Sequence, residues 1–299
     1  MHIHARVLKS FDMIRRCGSI REAARHLHIA SSAVNRQLLQ LEDTLGTPLF
    51  ERLPHGLVLT AAGEAFARHV QNVFQDERRL SQELGQIRGL QRGPLHVMAV
   101  EGLCSGLLPR VLAELYRGHP GLSVQLQTGG SAGTAQAVRT GDADIGLGFS
   151  ISASDELQAC CLRRDPIGAV LSPDHPLARR ATLSMAECAQ ASPLILPLPS
   201  LSLHALLTPL LSRLPAGTEV LLETASLDLA KRLAQQGLGI AFQSRWGLEH
   251  EIAQNQLVHV PLHSPAPLWC ELGVYVRARR SLPPAVTALV HLLMAELAD

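Results

Sequence analysis

Residues 18–60 constrain this chain more than any other stretch, because several local signals succeed one another there at fixed spacing. Ser19 precedes Glu22 by three positions, the arrangement in which a hydroxyl and a carboxylate cap a helix start. Ile20, Ala23, Ala24 and Leu27 then repeat at helical spacing. A second helical pattern runs from about Ser31 to Leu45. There Val34, Leu38 and Leu41 face inward, while Ser31, Ser32, Asn35, Arg36 and Gln37 lie outward or near the exposed start. A helix that is apolar behind, with short hydrogen-bonding side chains and an arginine in front, suits insertion into a polar groove. Beyond Gly46, the alternation LFERLPHGLVLT carries Pro54-His55-Gly56 at its tip and reads as a two-stranded hairpin. Helix, turn, helix and wing together make a DNA-reading module. A bare helical hairpin, by contrast, occurs on many soluble proteins.

The flanking segments extend this unit. Val7, Leu8, Phe11 and Ile14 form the buried stripe of a bracing helix over residues 5–16. Thr60 caps a long helix with Glu64 in its first turn. From there Gly63, Phe66, Val70, Val73, Glu77, Leu80, Leu84 and Ile87 step by three and four residues without a break. That spacing predicts a coiled-coil seam rather than a broad one-sided stripe. Phe66, Val70, Val73, Leu80, Leu84 and Ile87 are therefore the candidate dimerisation residues, on a helix about 40 Å long at the standard rise. Glu77 weakens the seam locally. Gly89 to Pro94 breaks the helix and acts as a hinge.

Beyond the hinge the chain alternates between strand and helix patterns. Strands are expected at Leu95–Val100, Leu122–Thr128, Ala143–Phe149, Ile167–Ser172, Pro193–Leu196, Thr218–Thr224, Leu238–Gln243 and Cys270–Val276. Helices are expected at about Leu107–Gly118, Thr134–Thr140, Leu203–Leu214, Ser226–Gln236 and Pro283–Leu297. Such alternation predicts mostly parallel sheets covered on both faces. Two lobes joined by two crossovers would enclose a cleft. The expected organisation is residues 1–60 as a winged helix-turn-helix and 61–89 as a linker helix. Residues 93–165 with 270–299 make one lobe, and 166–269 the other.

At 299 residues the chain has room for two or three compact units. Its formal net charge of +1 conceals an asymmetry, since residues 1–92 carry 13 Lys and Arg against 9 Asp and Glu, while the remainder carries 14 against 17. A basic end joined to a mildly acidic body suits a protein that meets DNA at one end. The surplus is small, so two or more copies are needed to hold DNA at physiological salt. No apolar run has the length and freedom from charge to span a membrane, and the start lacks the apolar core of an export signal. The six cysteines show no CxxC pair or disulfide-framework spacing, and the expected setting is a reduced cytoplasm.

The run from Arg21 to Glu64 resembles the amino-terminal domain of LysR-type transcriptional regulators. The resemblance rests on Ala23-Ala24, Arg36-Gln37, Leu41-Glu42, Leu45-Gly46, Leu49 to Arg52, and Leu59, Thr60 and Gly63. More diffusely, GDADIGL, DHPLA and QGLGIAF are similar to pieces of that family's two-lobed, periplasmic-binding-protein-like effector domain. The resemblance implies that the helix beginning near Ser31 enters the major groove. Ser31, Ser32, Asn35, Arg36 and, more weakly, Gln37 are then candidates for base and phosphate contacts, with Arg52 and His55 near the backbone or minor groove. Asparagine can pair bidentately with adenine and arginine with guanine. The family usually has Gln-Pro where Ser31-Ser32 stand, Ser where Asn35 stands and Arg where His55 stands, which points to an altered base preference. The resemblance further implies a homo-oligomer, a dimer of dimers on an interrupted two-fold site in double-stranded DNA, with RNA polymerase among the candidate partners. It also implies a linker helix used for pairing.

Open α/β lobes bind ligands beyond the carboxyl ends of their strands. The candidates there are Glu101, Gly102, Cys104, Ser105, Ser131, Phe149, Ser200, Ser202, Ser226 and Gln243. Helix amino termini and serine hydroxyls favour a carboxylate effector, and Glu101 opposes one. Each serine can equally be a helix cap. A redox-sensing regulator would instead use Cys104 or the pair Cys160 and Cys161, through a thiol of lowered pKa and a resolving partner. A third course is a regulator with an empty cleft whose activity follows its own abundance. An enzyme, or a ligand-binding protein with a DNA-binding-like appendage, is the reading from a different class. No G-x-S-x-G elbow, P-loop, HExxH or Cys/His metal spacing supports it, and no cofactor or metal is expected.

Overall fold

The computed structural model describes residues 6–54, 56–87, 94–152, 154–263, 266–278 and 282–298, with backbone only for Gln75, Arg78, Arg79 and 81–87. The chain divides into two compact units, Met1–Leu90 and Gln91–Asp299.

The first unit packs α1 (Arg6–Cys17), α2 (Ile20–Leu27) and α3 (Ser31–Leu45) ahead of a wing of β1 (Phe50–Leu53) and β2 (Gly56–Leu59), with α4 (Ala61–Ile87) after it. Ser19 stands extended before α2 and accepts from the Glu22 amide at 3.4 Å. The Glu22 carboxylate turns to Arg25 instead of back to Ser19, so only half of the capping arrangement forms. Gly46 ends α3 in the left-handed conformation, at φ +67°, where glycine carries no Cβ penalty. The wing pairs antiparallel from Phe50 opposite Leu59 to Leu53 opposite Gly56. Glu42 on α3 holds its base, accepting from the amides of Leu49 at 2.7 Å and Phe50 at 3.2 Å. Thr60 donates to the Pro48 carbonyl at 2.8 Å and caps α4 by accepting from the Gly63 amide at 2.9 Å. Gly63 is required there because a Cβ would collide with the Leu49 carbonyl.

Phe11, Ile14, Ala23, Ala24, Val34, Leu38, Leu49, Phe50, Ala67 and Val70 form the core of this unit. The Phe11 ring lies 5.2 Å from Phe50 and 4.9 Å, edge-on, from Phe66. This corrects the seam expected on α4. Val70 is fully buried and Phe66 packs against the same core, so the first half of that stripe serves its own unit. A stripe stepping by three and four fits either use, and the aromatic pocket at Phe11 takes it. Val73 is half-buried and Leu80 is 40% exposed. The side chains of Leu84 and Ile87 lie outside the described residues, as does most of the Gly89–Pro94 hinge.

The second unit begins with β3 (Pro94–Ala99), a 3-10 turn at Glu101–Leu103, α5 (Leu107–Gly118), β4 (Ser123–Thr128), α6 (Ser131–Thr140), β5 (Ile145–Phe149) and β6 (Leu157–Pro166). It continues with β7 (Gly168–Leu171), α7 (Met185–Ala191), β8 (Leu194–Pro197), α8 (Ser202–Leu211), β9 (Val220–Thr224) and α9 (Leu227–Gln235). It closes with β10 (Ala241–Gln243), α10 (Glu249–Ala253), β11 (Val258–Pro261), β12 (Trp269–Arg277) and α11 (Pro284–Ala298). One sheet has the order β4-β3-β5-β12-β6. The other joins β9-β8 to β10-β7-β11 through a parallel bridge between Leu194 and Ile240. The strands of each sheet share one direction except for a single reversed strand, β12 in the first and β7 in the second. The expected parallel alternation is thus interrupted once in each lobe, so both sheets are mixed.

Strands β6 and β11 and helices α7 and α10 lie outside the sequence expectations. β6 is an edge strand whose polar Gln158, Arg163, Arg164 and Asp165 hide it from a hydropathy reading, and its ladder with β12 defines it. Apolar side chains fill each lobe: Leu95, Val97, Leu115, Ile145, Leu147, Leu272 and Leu293 in the first, Ala169, Leu171, Leu194, Leu207, Ile240 and Phe242 in the second. Each such leucine, isoleucine or phenylalanine contributes about 1.5–3 kcal/mol on burial. No helix of the described residues is long and apolar enough to cross a membrane.

Candidate DNA-reading face and ligand cleft

Helix α3 buries Val34 and Leu38 on one side. At 3.6 residues per turn Ser32, Arg36 and Gln40 fall opposite them, and all three are exposed. Arg36 makes no hydrogen bond or ion pair among the described residues, and neither does Arg52, exposed on the wing. Ser31 is exposed at the helix start and Asn35 is half-buried on the flank. Gln37 departs from expectation. Its Oε1 accepts from the buried Ser10 hydroxyl at 2.5 Å, so it ties α3 to α1 instead of facing outward. His55 lies outside the described residues. The outer ridge also holds Leu39, 51% exposed, and Gln40, neither of which the sequence reading selected. For Leu39 the available signal was an apolar residue falling just off the amphipathic stripe.

In the second unit a cavity of about 290 Å³ lies where the strand ends of both lobes meet. Val100 and Glu101 come after β3, Thr128 to Gly130 end and succeed β4, Ser131 opens α6, and Phe149 ends β5. From the other lobe come Ser200, Leu201 and Ser202 after β8, Ala225 after β9, and Gln243 and Ser244 at the end of β10. The apolar wall is completed by Ile167, Leu203, Leu206, Leu227 and Cys270. Among the described residues no lysine, arginine or histidine lines this cavity. Helices α6 and α8 begin here without a side-chain cap. Ser131 accepts from the Phe149 amide at 3.0 Å and meets the Ser202 hydroxyl at 3.3 Å across the cleft.

Glu101, Leu227 and Gln243 separate this cavity from a second of about 230 Å³, which also touches Gly102, Cys104, Ser105, Asp228, Lys231 and Gly247. The expected ligand residues therefore divide into two groups. Glu101, Ser131, Phe149, Ser200, Ser202 and Gln243 share the first cavity; Gly102, Cys104 and Ser105 line only the second. Ser105 is spent on a bond to the Gly247 carbonyl at 3.3 Å. Ser226 lines neither: its hydroxyl caps α9, accepting from the Leu229 amide at 3.3 Å. Lys231, absent from the sequence candidates, is buried and held by Glu251 at 2.7 Å. Asp228, three residues earlier and 3.4 Å from its Nζ, is the local signal for Lys231, while the nearer partner sits on α10.

Two family models cover nearly the whole chain: the bacterial regulatory helix-turn-helix protein, lysR family, over residues 5–64, and the LysR substrate binding domain over residues 88–298. The chain belongs to the LysR family. It is a LysR-type DNA-binding transcription regulator with an effector-binding domain, and not an enzyme. Regulators of this type bind DNA and small-molecule effectors and oligomerise. A RuBisCO operon transcriptional regulator of Allochromatium vinosum is 26% identical over 298 residues, covering 100% of this chain and 98% of that one. A probable RuBisCO transcriptional regulator of Synechocystis is 28% identical over 251 residues, covering 82% of this chain and 72% of the other. A full-length OxyR variant from Pseudomonas aeruginosa shares the fold with a TM-score of 0.72 at 20% identity, over 98% of this chain and 95% of that one.

Four of the regulator's thiols are pushed away from the thiolate form. Burial raises Cys104, with Glu101 adding to it, and burial raises Cys160, with Cys161 adding to it. Cys188 and Cys270 are pushed up by burial to about 12. A reactive cysteine needs the opposite, an electropositive site that stabilises thiolate. His259 on β11 is held neutral: burial lowers it to about 4, while its Nε2 lies 3.0 Å from the Gln243 carbonyl behind the cleft.

Proposed function

We propose that this LysR-type regulator reads an interrupted two-fold site in double-stranded DNA, with α3 in the major groove and the wing beside the backbone. Ser31, Ser32, Asn35 and Arg36 meet bases and phosphates; Arg52 and His55 serve the wing. The observation that carries the reading is Arg36. It stands exposed opposite the α3 core with no partner among the described residues, so its five donors are available to guanine or phosphate without breaking a contact inside the protein. Working as a cytoplasmic dimer of dimers, the protein combines weak single-copy contacts, and RNA polymerase is the partner at the promoter. The exposed Leu80 end of α4, together with Leu84 and Ile87, supplies one pairing contact.

The cleft residues Glu101, Ser131, Phe149, Ser200, Ser202 and Gln243 hold a small effector. Ligand binding acts by favouring one arrangement of the lobes over another, because only a difference in affinity between arrangements can switch an equilibrium. A selection of genome fragments by the purified full-length protein, sequenced at physiological salt, tests the reading. Recovery of an interrupted palindrome is expected. Purely salt-sensitive, sequence-independent binding, with and without ligand extracts, would overturn it.

A further inference from the structure

We infer that the cleft takes a zwitterion with an apolar body, of the chemistry of an apolar α-amino acid, and that Glu101 receives its ammonium group. This rests on the cleft being the regulator's effector site. Three features of the larger cavity converge on that class. Its wall is apolar, with Val100, Ile167, Leu203, Leu206 and Leu227 contributing aliphatic surface. Its volume of about 290 Å³ corresponds to about ten water volumes, hence to a ligand of roughly ten non-hydrogen atoms.

At one end α6 and α8, each ten residues long, present amino termini without side-chain caps, beside the paired hydroxyls of Ser131 and Ser202. Each terminus carries about half a positive charge, so the two together suit one carboxylate. Lining the cavity just beyond β3 is Glu101, whose carboxylate makes no hydrogen bond or ion pair among the described residues. It is the sole formal charge among the described residues that line this cavity. Glu101 is exposed at the cavity wall and repels a simple anion, whereas a zwitterion brings an ammonium group to it together with the carboxylate.

Gln243 supplies the independent observation. It is 5% exposed and lines both cavities, and its side-chain amide has no hydrogen-bond partner among the described residues, although its own carbonyl is occupied by His259. None of that side chain's hydrogen-bonding capacity is spent among the described residues, so a ligand in the larger cavity can engage it without breaking a contact. Lining the same two cavities as Glu101, it offers an acceptor to the same ammonium group. Lys231 does not compete for the ligand carboxylate, since Glu251 holds it at 2.7 Å in the neighbouring cavity.

Calorimetry on the full-length protein tests this with four probes: leucine, phenylalanine, 4-methylpentanoate lacking the amine, and 3-methylbutylamine lacking the carboxylate. At least one amino acid is expected to bind tenfold or more tighter than either truncated probe, a difference of about 1.4 kcal/mol. Glu101→Gln should weaken amino-acid binding tenfold or more while leaving 4-methylpentanoate unchanged or tighter. Gln243→Ala should also weaken it, with the dissociation constant of 3-methylbutylamine moving in the same direction. Equal binding of leucine and 4-methylpentanoate overturns the inference, as does an unchanged Glu101→Gln variant or silence toward both amino acids at millimolar concentration. A recovered DNA palindrome alongside that silence removes this ligand class and leaves the regulator reading standing.

Discussion

The two working surfaces of this regulator are built in opposite ways. The proposed DNA-reading face is one side of one helix, with Ser32 and Arg36 a turn apart and their outward direction set by Val34 and Leu38 behind them. The cleft is assembled from the ends of strands in two sheets, and Glu101 and Gln243 come together from 142 residues apart only because both lobes fold. A local surface can tolerate damage elsewhere in the chain. A surface made of distant pieces registers any shift between lobes, which makes it suited to sensing a ligand. Changes on α3 should therefore alter binding without altering folding, while changes around the cleft couple to stability.

The largest effect is expected at Arg36. Arg36→Ala should lower affinity for the selected site by about 1–3 kcal/mol per half-site, thus roughly 2–6 kcal/mol for a two-fold site. Fluorescence anisotropy reads the loss, and ultracentrifugation should show an unchanged oligomer. Retained site affinity would break the assignment of the reading face.

A second expectation concerns pH. His259 has a folded pKa of about 4 against an ordinary value of 6.5, so the fold favours the neutral ring. Its contribution is complete above 6.5 and is lost as pH falls toward 4, at a cost of about 3 kcal/mol to the effector unit. Urea unfolding at pH 7 and pH 4.5 measures this. His259→Gln should flatten the dependence, and a curve as steep as that of the unaltered protein would remove the assignment.

Along α4 the contrast repeats on a smaller scale. Val70→Ala, deep in the core, should cost about 2 kcal/mol of unfolding free energy, with little change in oligomer mass. Leu80→Asp, on an exposed position, should do the reverse, weakening self-association with an unchanged unfolding midpoint. The smallest effect is Ser226→Ala, where losing the α9 cap should cost about 1 kcal/mol. Ligand affinity should stay within twofold. A large drop in affinity would return Ser226 to the cleft.

Most of the DNA-reading unit was legible because its causes are local. The Ser19 cap, the apolar repeat of α3, the turn at Gly46 and the Thr60 start of α4 each operate over three or four residues. Gln37 escaped that logic: its direction depends on Ser10, twenty-seven residues away. So did Phe66 and Val70, whose spacing fits a coiled seam and a domain core equally well until Phe11 is in place. In the effector unit the strand-helix alternation announced an α/β fold. It did not announce β6, an edge strand defined by its ladder to β12.

Periodicity and capping thus determined, from the sequence by itself, that this chain begins with a winged helix-turn-helix and continues into a two-lobed α/β body. Tertiary structure alone decided which serines cap helices and which line the cleft. It also decided that Lys231 is neutralised by Glu251 and that Glu101 and Gln243 border one cavity. The reason is physical: helix and turn preferences act over a few residues, whereas burial and charge pairing depend on what a distant part of the chain brings alongside.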